Sequence, residues 1–254
     1  MGRKMAGTTI DQTDIDGAFA GNRLLSTFSE EARALIEPHG TVLQLTSGEV
    51  VLNRGDQVGS TIFPIGETMI SLGIELTGGR SVEVASIGRE GAVGGIISCG
   101  HAPAFSRAET LVGGPALRVP MAALQAAKQE SGFIANIFCR FSDYLLAQVM
   151  QSAACNAYHS IPERAARWLL HAQDRAGDRI ELTQEVFAGL LGVQRTTVNA
   201  VIKSLQDDGL IATGRGVVKV VDRAGLKHRA CECYTRLEDH FAEVIGTSGF
   251  GPKD

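Results

Sequence analysis

Residues 182–211 run Leu182-Thr-Gln-Glu-Val-Phe-Ala-Gly-Leu-Leu-Gly-Val-Gln-Arg-Thr-Thr-Val-Asn-Ala-Val-Ile-Lys-Ser-Leu-Gln-Asp-Asp-Gly-Leu210-Ile211, and two short helices with a tight turn between them are written into that order. Thr183 is placed to cap a first helix whose predicted buried face is Val186, Phe187, Leu190 and Leu191. Gly192 supplies the left-handed residue that ends it. A second helix starts near Gln194, with Val198, Val201, Ile202 and Leu205 on one side. Arg195, Thr196, Asn199 and Lys203 project elsewhere. Such a pair is a helix-turn-helix, whose second helix enters the major groove of DNA by its N-terminus. After Asp208-Gly209 come Leu210-Ile-Ala-Thr, Gly214-Arg215-Gly216 and Val217-Val-Lys-Val-Val, two strands around a glycine turn that carries one arginine. This reads as a wing set against the DNA backbone, and the succession is more specific than any one of its parts.

Upstream, Ser160-Ile161-Pro162-Glu163 combines a cap, an early proline and a glutamate three residues after the cap, so a helix begins near residue 161 and runs to Gly177. From about Met121 to Ser160 there are few glycines and no proline within the run, and Ile134, Ile137, Phe138, Phe141 and Leu145 form a helical stripe. The stripe can pack on its own domain or form a seam with a second copy. A helix of about 40 Å outreaches one small roll, so the seam is the expectation.

From Thr41 to about Val119 the pattern changes to short apolar runs: 41–45, 49–52, 61–65, 69–76, 81–87 and 116–119. Glycine turns at 48, 55, 66, 78–79, 88 and 91 separate them, and Thr77-Gly78-Gly79-Arg80 is the best hairpin turn. Strands so spaced predict a barrel or jelly roll. Before them, Ser29 is placed to cap a short helix, while the first twenty or so residues show no sustained period and are expected to form a loose arm. The resulting division is an arm at 1–24, a β roll at 25–126, a dimerisation helix at 127–159, a winged helix-turn-helix at 160–230 and a partly helical tail at 231–254. The fold class is α+β.

The 254 residues hold 24 Lys plus Arg against 28 Asp plus Glu, a net charge of −4 that at first disfavours a phosphate-bearing partner. The charge is uneven. Residues 1–159 carry −4, residues 160–230 carry +3, and residues 231–254 carry −3. A locally basic module in an acidic chain suits salt-sensitive DNA contact that depends on two copies. No apolar run reaches the ~18 residues of a membrane span, no export signal is legible, and five cysteines make no paired framework. A soluble, intracellular protein with free thiols is expected.

Over about residues 25–235 the chain resembles the CRP/FNR superfamily of bacterial transcription regulators. Ser86-Ile-Gly-Arg-Glu-Gly-Ala-Val-Gly-Gly95 is similar to the family's Gly-rich sensor segment, and residues 182–211 to its helix-turn-helix. The order of roll, long helix and winged module is also the family's. The resemblance implies a cyclic-nucleotide-binding-like roll and a homodimer on a two-fold-related operator, altering transcription by RNA polymerase. It places Arg195 where the family reads guanine, with Thr183, Thr197, Lys203 and Arg215 on phosphates, and Gln194, Thr196, Asn199 and Gly216 complete the candidate DNA-binding set.

The departures bear on ligand and operator. Cyclic-nucleotide-binding members follow the glycine equivalent to Gly94 with a glutamate, whereas here Gly95 follows; Arg107 is the remaining candidate phosphate ligand in this effector set. The N-terminal cysteine cluster of iron–sulfur members is absent, since Cys99 is the first cysteine. No cofactor is expected, neither cyclic nucleotide nor metal. Thr196 and Ala200 stand where the family carries a glutamate and a second arginine, so the operator should differ from the usual one.

Two alternatives use other residues. A metal-dependent roll enzyme needs a close histidine pair, and the roll offers only His39 and His101, far apart. A redox- or metal-sensing regulator would use Cys155, His159, Cys231 and Cys233, if the tail folds back to the end of the long helix. Cysteines are commonly buried for packing alone, and these short spacings lack a complete ligand motif, so packing is the expectation.

Overall fold

The computed structural model describes residues 15–78, 81–96 and 101–246; the start of the arm, Gly79-Arg80 of the hairpin turn and the end of the tail lie outside them. Strands β1 (Thr41–Leu45), β2 (Val50–Leu52), β3 (Ser60–Pro64), β4 (Met69–Glu75), β5 (Ser81–Ile87), β6 (Arg107–Val112) and β7 (Gly114–Pro120) form two antiparallel sheets, ordered β1-β7-β3 and β2-β6-β4-β5. Val42, Ile62, Phe63, Ile70, Ile87, Leu117 and Val119 belong to one buried apolar core, as two facing sheets require. Strand β6 has no counterpart among the apolar runs of the sequence. Its buried residues are Ala108 and Thr110, too small or too polar to mark an inward face, yet it pairs with both β2 and β4.

The expected loose arm is corrected over its described part. Helix α1 (Ile15–Gly21) buries Ile15, Ala18 and Phe19, a spacing of three and four that makes one helical face. Asn22 then latches the segment to the roll. Its amide donates to the carbonyls of Pro64 (2.8 Å) and Gly91 (2.9 Å), and its oxygen accepts from the amides of Leu24 and Leu25. Helix α2 (Glu30–Ala34) begins at Ser29, whose hydroxyl accepts from the Ala32 amide as a cap should.

Helix α3 (Met121–Glu130) is separated by Ser131 from α4 (Gly132–Tyr158), and the Ser131 hydroxyl accepts from the Ile134 amide to start α4 afresh. The stripe assigned to the dimer seam is corrected here. Ile134, Ile137, Phe138 and Phe141 are at most 3% exposed within a single chain, and Leu145 packs against the same core. Phe138 meets Phe63 of the roll ring to ring at 6.1 Å, and a Cβ on Gly91 would sit 2.3 Å from the Phe141 ring. Helix α9 (Cys233–Ile245) covers a further side, with Phe241 5.0 Å from the Tyr144 ring. The roll and the returning tail together enclose what the sequence assigned to a second copy. The outward side of α4 instead carries Leu146 (54% exposed), Val149 and Met150 (59%), with Ala153 and Ala157 continuing the row.

Helix α5 (Ile161–Ala176) opens on a reciprocal cap between Ser160 and Glu163. It is followed by β8 (Arg179–Glu181), α6 (Gln184–Leu191), α7 (Arg195–Asp207), β9 (Ile211–Gly214), β10 (Val217–Val220) and α8 (Arg223–Arg229), with the strands in order β8-β10-β9. These elements share a second core around Trp168, Leu169, Phe187, Val198 and Ile202. The shortest polar contacts between this module and the roll are two, with Ser47 to Glu181 and Arg89 to the Asp174 carbonyl longer at 3.4 and 3.5 Å among the described residues. Arg175 Nε donates to Glu90 Oε1 at 2.7 Å with both side chains 1% exposed, and Trp168 Nε1 donates to Glu83 Oε1 at 2.7 Å.

Among the described residues no helix is long and apolar enough to cross a membrane.

Candidate nucleic-acid interface

The turn between α6 and α7 is built by its ends. Thr183 caps α6, its hydroxyl accepting from the Val186 amide at 3.2 Å, and Gly192 adopts φ +67° to reverse the chain. Helix α6 buries Phe187, Ala188 and Leu191, leaves Leu190 half-buried, and exposes Val186 at 43%, a correction to the expected face. Ala188 joins Phe187 and Leu191 in the module's own core, while Val186 lines an open groove with Gly189, Leu190 and Val82 of β5. Helix α7 buries Val198, Val201, Ile202 and Leu205, as the apolar spacing requires.

What α7 leaves outside is polar. Gln194, Arg195, Thr196, Asn199 and Lys203 are exposed and Thr197 is half-buried. Gln194 occupies the cap position without a side-chain cap bond, so the positive end of the helix faces outward with no carboxylate capping it. The Arg195 side chain is 64% exposed, with Glu185 at 4.0 Å; at that distance and exposure the pair adds little and leaves the guanidinium available.

The wing converges on the same place. The β9–β10 register sets Val217 opposite Gly214, with Arg215 exposed at the tip and Gly216 at φ +72°. The Gly216 carbonyl accepts from the Leu182 amide at 2.9 Å, which ties the wing tip to the start of α6. One groove is consequently lined by Thr183, Glu185, Arg195, Thr213 and Gly216. Arg195 is the cation of this lining, set beside Glu185 among neutral hydrogen-bonding groups, a set in which hydroxyls can contact phosphates while the arginine reaches base edges.

The effector candidates do not meet in this way. Gly94 adopts φ +96°, and a Cβ there would lie 2.6 Å from the Ser60 carbonyl, so the backbone itself demands glycine. Gly95 is also left-handed, at φ +63°. Arg107 stands on β6 opposite Gly73, paired with Glu109 at 2.6 Å and Glu75 at 3.5 Å. His39 and His101 are both exposed, the first at the end of a single helical turn and the second in a loop.

The four residues of the metal-sensing alternative do converge. Cys155 Sγ lies 3.6 Å from Cys231 Sγ, and Cys233 Sγ lies 3.4 Å from His159 Nδ1. The Cys231 thiol bond holds Cys155 down to about 5, and Cys231 is correspondingly pushed up. The tail folds back to the end of α4, which is the condition under which the sequence admits such a site.

Sequence reasoning missed the groups that hold the module in place. Burial pushes the Glu83 carboxyl up against the pull of its Ser71 and Trp168 bonds, and burial with the Arg175, Arg167 and Arg223 charges holds His171 well below the usual imidazole range. Glu90 lies within the Gly-rich segment 86–95, but no local pattern marks the partner of any of these groups. Glu83 and Trp168 are 85 residues apart, as are Glu90 and Arg175.

A profile of the Crp-like helix-turn-helix domain matches residues 163–229. The HTH-type transcriptional regulator Cmr of Mycobacterium tuberculosis (strain CDC 1551 / Oshkosh) is 41% identical over 71 residues, which are 28% of this chain and 28% of that protein. The match thus spans under a third of that relative. The structure of FixK2 from Bradyrhizobium japonicum is similar with a TM-score of 0.65 at 15% identity, covering 76% of this chain and 98% of that one. A Eubacterium rectale protein assigned to the CRP/FNR family of transcriptional regulators gives 0.62 at 19% identity, covering 81% and 96%. The two structures are matched over nearly their whole length and over three quarters or more of this chain, and the sequence relative covers a stretch the size of one module. The chain therefore carries a Crp-like helix-turn-helix domain on the fold of the CRP/FNR regulators.

Proposed function

We propose that the protein is a cytoplasmic, sequence-specific DNA-binding transcription regulator that acts as a homodimer on a two-fold-related operator and alters transcription by RNA polymerase. The observation that carries this reading is the single groove in which α6, the N-terminus of α7 and the wing bring Thr183, Arg195 and Gly216 together. Arg195 reads a base, and Thr183, Thr197, Lys203 and Arg215 position phosphates. The test is selection of genomic fragments on the purified protein. The expected result is enrichment of paired half-sites about 10 base pairs apart, or a multiple, with affinity that falls steeply as salt rises. Fragments retained without sequence preference or salt dependence would overturn it.

A second copy is held along the outward row of α4. Leu146, Val149, Met150, Ala153 and Ala157 recur at helical spacing, and the chain leaves this row exposed over roughly half of a helix about 40 Å long. Replacing Leu146 and Met150 together by glutamate should give a single-chain mass by equilibrium sedimentation with the thermal midpoint of the roll retained. Phe141→Ala should do the opposite, lowering the midpoint while the dimer mass persists. An unchanged mass for the double variant would remove α4 as the seam.

A further inference from the structure

Four side chains that the DNA-reading groove does not use meet where α4, α5, α8 and α9 come together. Cys155 lies in the last turn of α4 and His159 caps that helix; Cys231 sits in the link after α8, and Cys233 is the first residue of α9. The three sulfurs are buried in a cluster of their own, and their atoms and the imidazole nitrogen lie within 4.8 Å of one another.

The spacing matches a coordination shell. A tetrahedral zinc ion with bonds of about 2.3 Å to sulfur and about 2.0–2.1 Å to nitrogen sets sulfur–sulfur edges near 3.8 Å and sulfur–nitrogen edges near 3.5 Å. The Cys155–Cys231 edge is 3.6 Å and the Cys233–His159 Nδ1 edge is 3.4 Å. Closing the longest separation to a tetrahedral edge takes about 1 Å.

The surroundings fit as well. Glu232 Oε2 stands 3.2 Å from His159 Nε2, where a carboxylate accepting the Nε2 proton turns the Nδ1 lone pair toward the sulfurs, the usual support of a ligating imidazole. Gln151 Nε2 donates to Cys233 Sγ at 2.9 Å, a bond that suits a thiolate. Packing accounts for buried thiols. It does not account for an imidazole nitrogen set among them with a carboxylate behind it.

We propose that Cys155, His159, Cys231 and Cys233 bind one zinc-class divalent ion in a closed tetrahedral site. Thiolate and imidazole donors select such an ion over magnesium or calcium, and four protein ligands leave no position for water or substrate, so the site is structural rather than catalytic. It fastens the entry to the reading module and the exit from it to the same turn of α4.

The test uses the full-length protein purified under reducing conditions without chelator. Elemental analysis is expected to give about one zinc per chain. Metal-free protein titrated with cobalt(II) should develop the near-ultraviolet sulfur-to-cobalt charge-transfer band and the red ligand-field bands of a four-coordinate ion. Cys233→Ser and His159→Ala should lose the stoichiometric metal. Cys139→Ser, on the exposed side of α4, should keep it. Glu232→Gln should weaken affinity about 10- to 100-fold with the cobalt spectrum unchanged, a result that a misfolded variant would not give. Folded, reduced wild-type protein with neither bound zinc nor sulfur–cobalt bands overturns the proposal, and so does a Cys155–Cys231 disulfide found under the same conditions. None of these readouts involves DNA, so the site and the regulator reading fail independently.

Discussion

Replacing Arg175 by methionine should cost about 3 kcal/mol of stability, the lower end of the about 3–5 kcal/mol expected when one partner of a buried ion pair is removed. The guanidinium is enclosed between the module and the roll. It donates to Glu90 Oε1 at 2.7 Å and to the His171 carbonyl at 3.0 Å, and lies 3.5 Å from the Tyr144 hydroxyl. Burial opposes its charge, yet Glu90 and its other neighbours hold it above the usual arginine value. Methionine fills the space but takes the 2.7 Å partner from Glu90 Oε1, leaving the Gly88 amide on Oε2 and the charge of Arg23 among the groups that act with this carboxylate. That residual cation is the reason for choosing the lower end. Pairing Arg175→Met with Glu90→Gln should restore most of the loss, because the buried charge is then gone from both sides. Urea denaturation of the two single variants and the double variant measures the coupling. A loss below about 1 kcal/mol for Arg175→Met would mean that the roll and the module are not clamped through this pair.

The second large effect concerns DNA. Arg195→Ala should weaken operator binding by about 1–3 kcal/mol, or about 5- to 150-fold, and relax preference at one base pair of each half-site. The effect follows from where the Arg195 side chain starts. It is exposed at the first turn of α7, held only by a distant exposed carboxylate, so it reaches the groove floor without breaking a strong bond. Lys203→Ala supplies the contrast: a phosphate contact should weaken all sequences alike and reduce the salt slope by about one. Titration of the selected operator and of its single-base variants separates the two. Unchanged sequence preference in Arg195→Ala would remove Arg195 as the reading residue.

The elements legible in the sequence are those whose signal is local. Caps at Ser29, Ser160 and Thr183, the left-handed Gly192 and six apolar runs of the roll each depend on residues within a few positions. Strand β6 was not legible, because Ala108 and Thr110 carry an inward face without apolar bulk. The stripe on α4 was legible as buried, but periodicity gives the direction of a face and not what covers it. Phe241 and Ile245, about a hundred residues downstream, complete that cover. The outward row was diluted by Ala153 and Ala157, good helix formers whose single methyl groups add little apolar surface to mark a seam. Among the cysteines the two short spacings were visible and their meeting was not, since 76 residues separate Cys155 from Cys231. The orienting carboxylate of Glu232, between two cysteines, gave no separate signal.

The return of the chain to the end of α4 also sets how the reading module can move. Residues 160–230 leave the long helix at His159 and rejoin it at Cys231, whose sulfur lies 3.6 Å from that of Cys155 in the same helical turn. A module held by one linker is a tethered body that can drift and tumble. Held at two adjacent points, it behaves as a leaf on an axle: it can swing about the end of α4, but it cannot translate away. The edge that carries α7 and the wing therefore moves on an arc, and the contacts with the roll, Arg175 against Glu90 and Trp168 against Glu83, act as the stops that fix the angle.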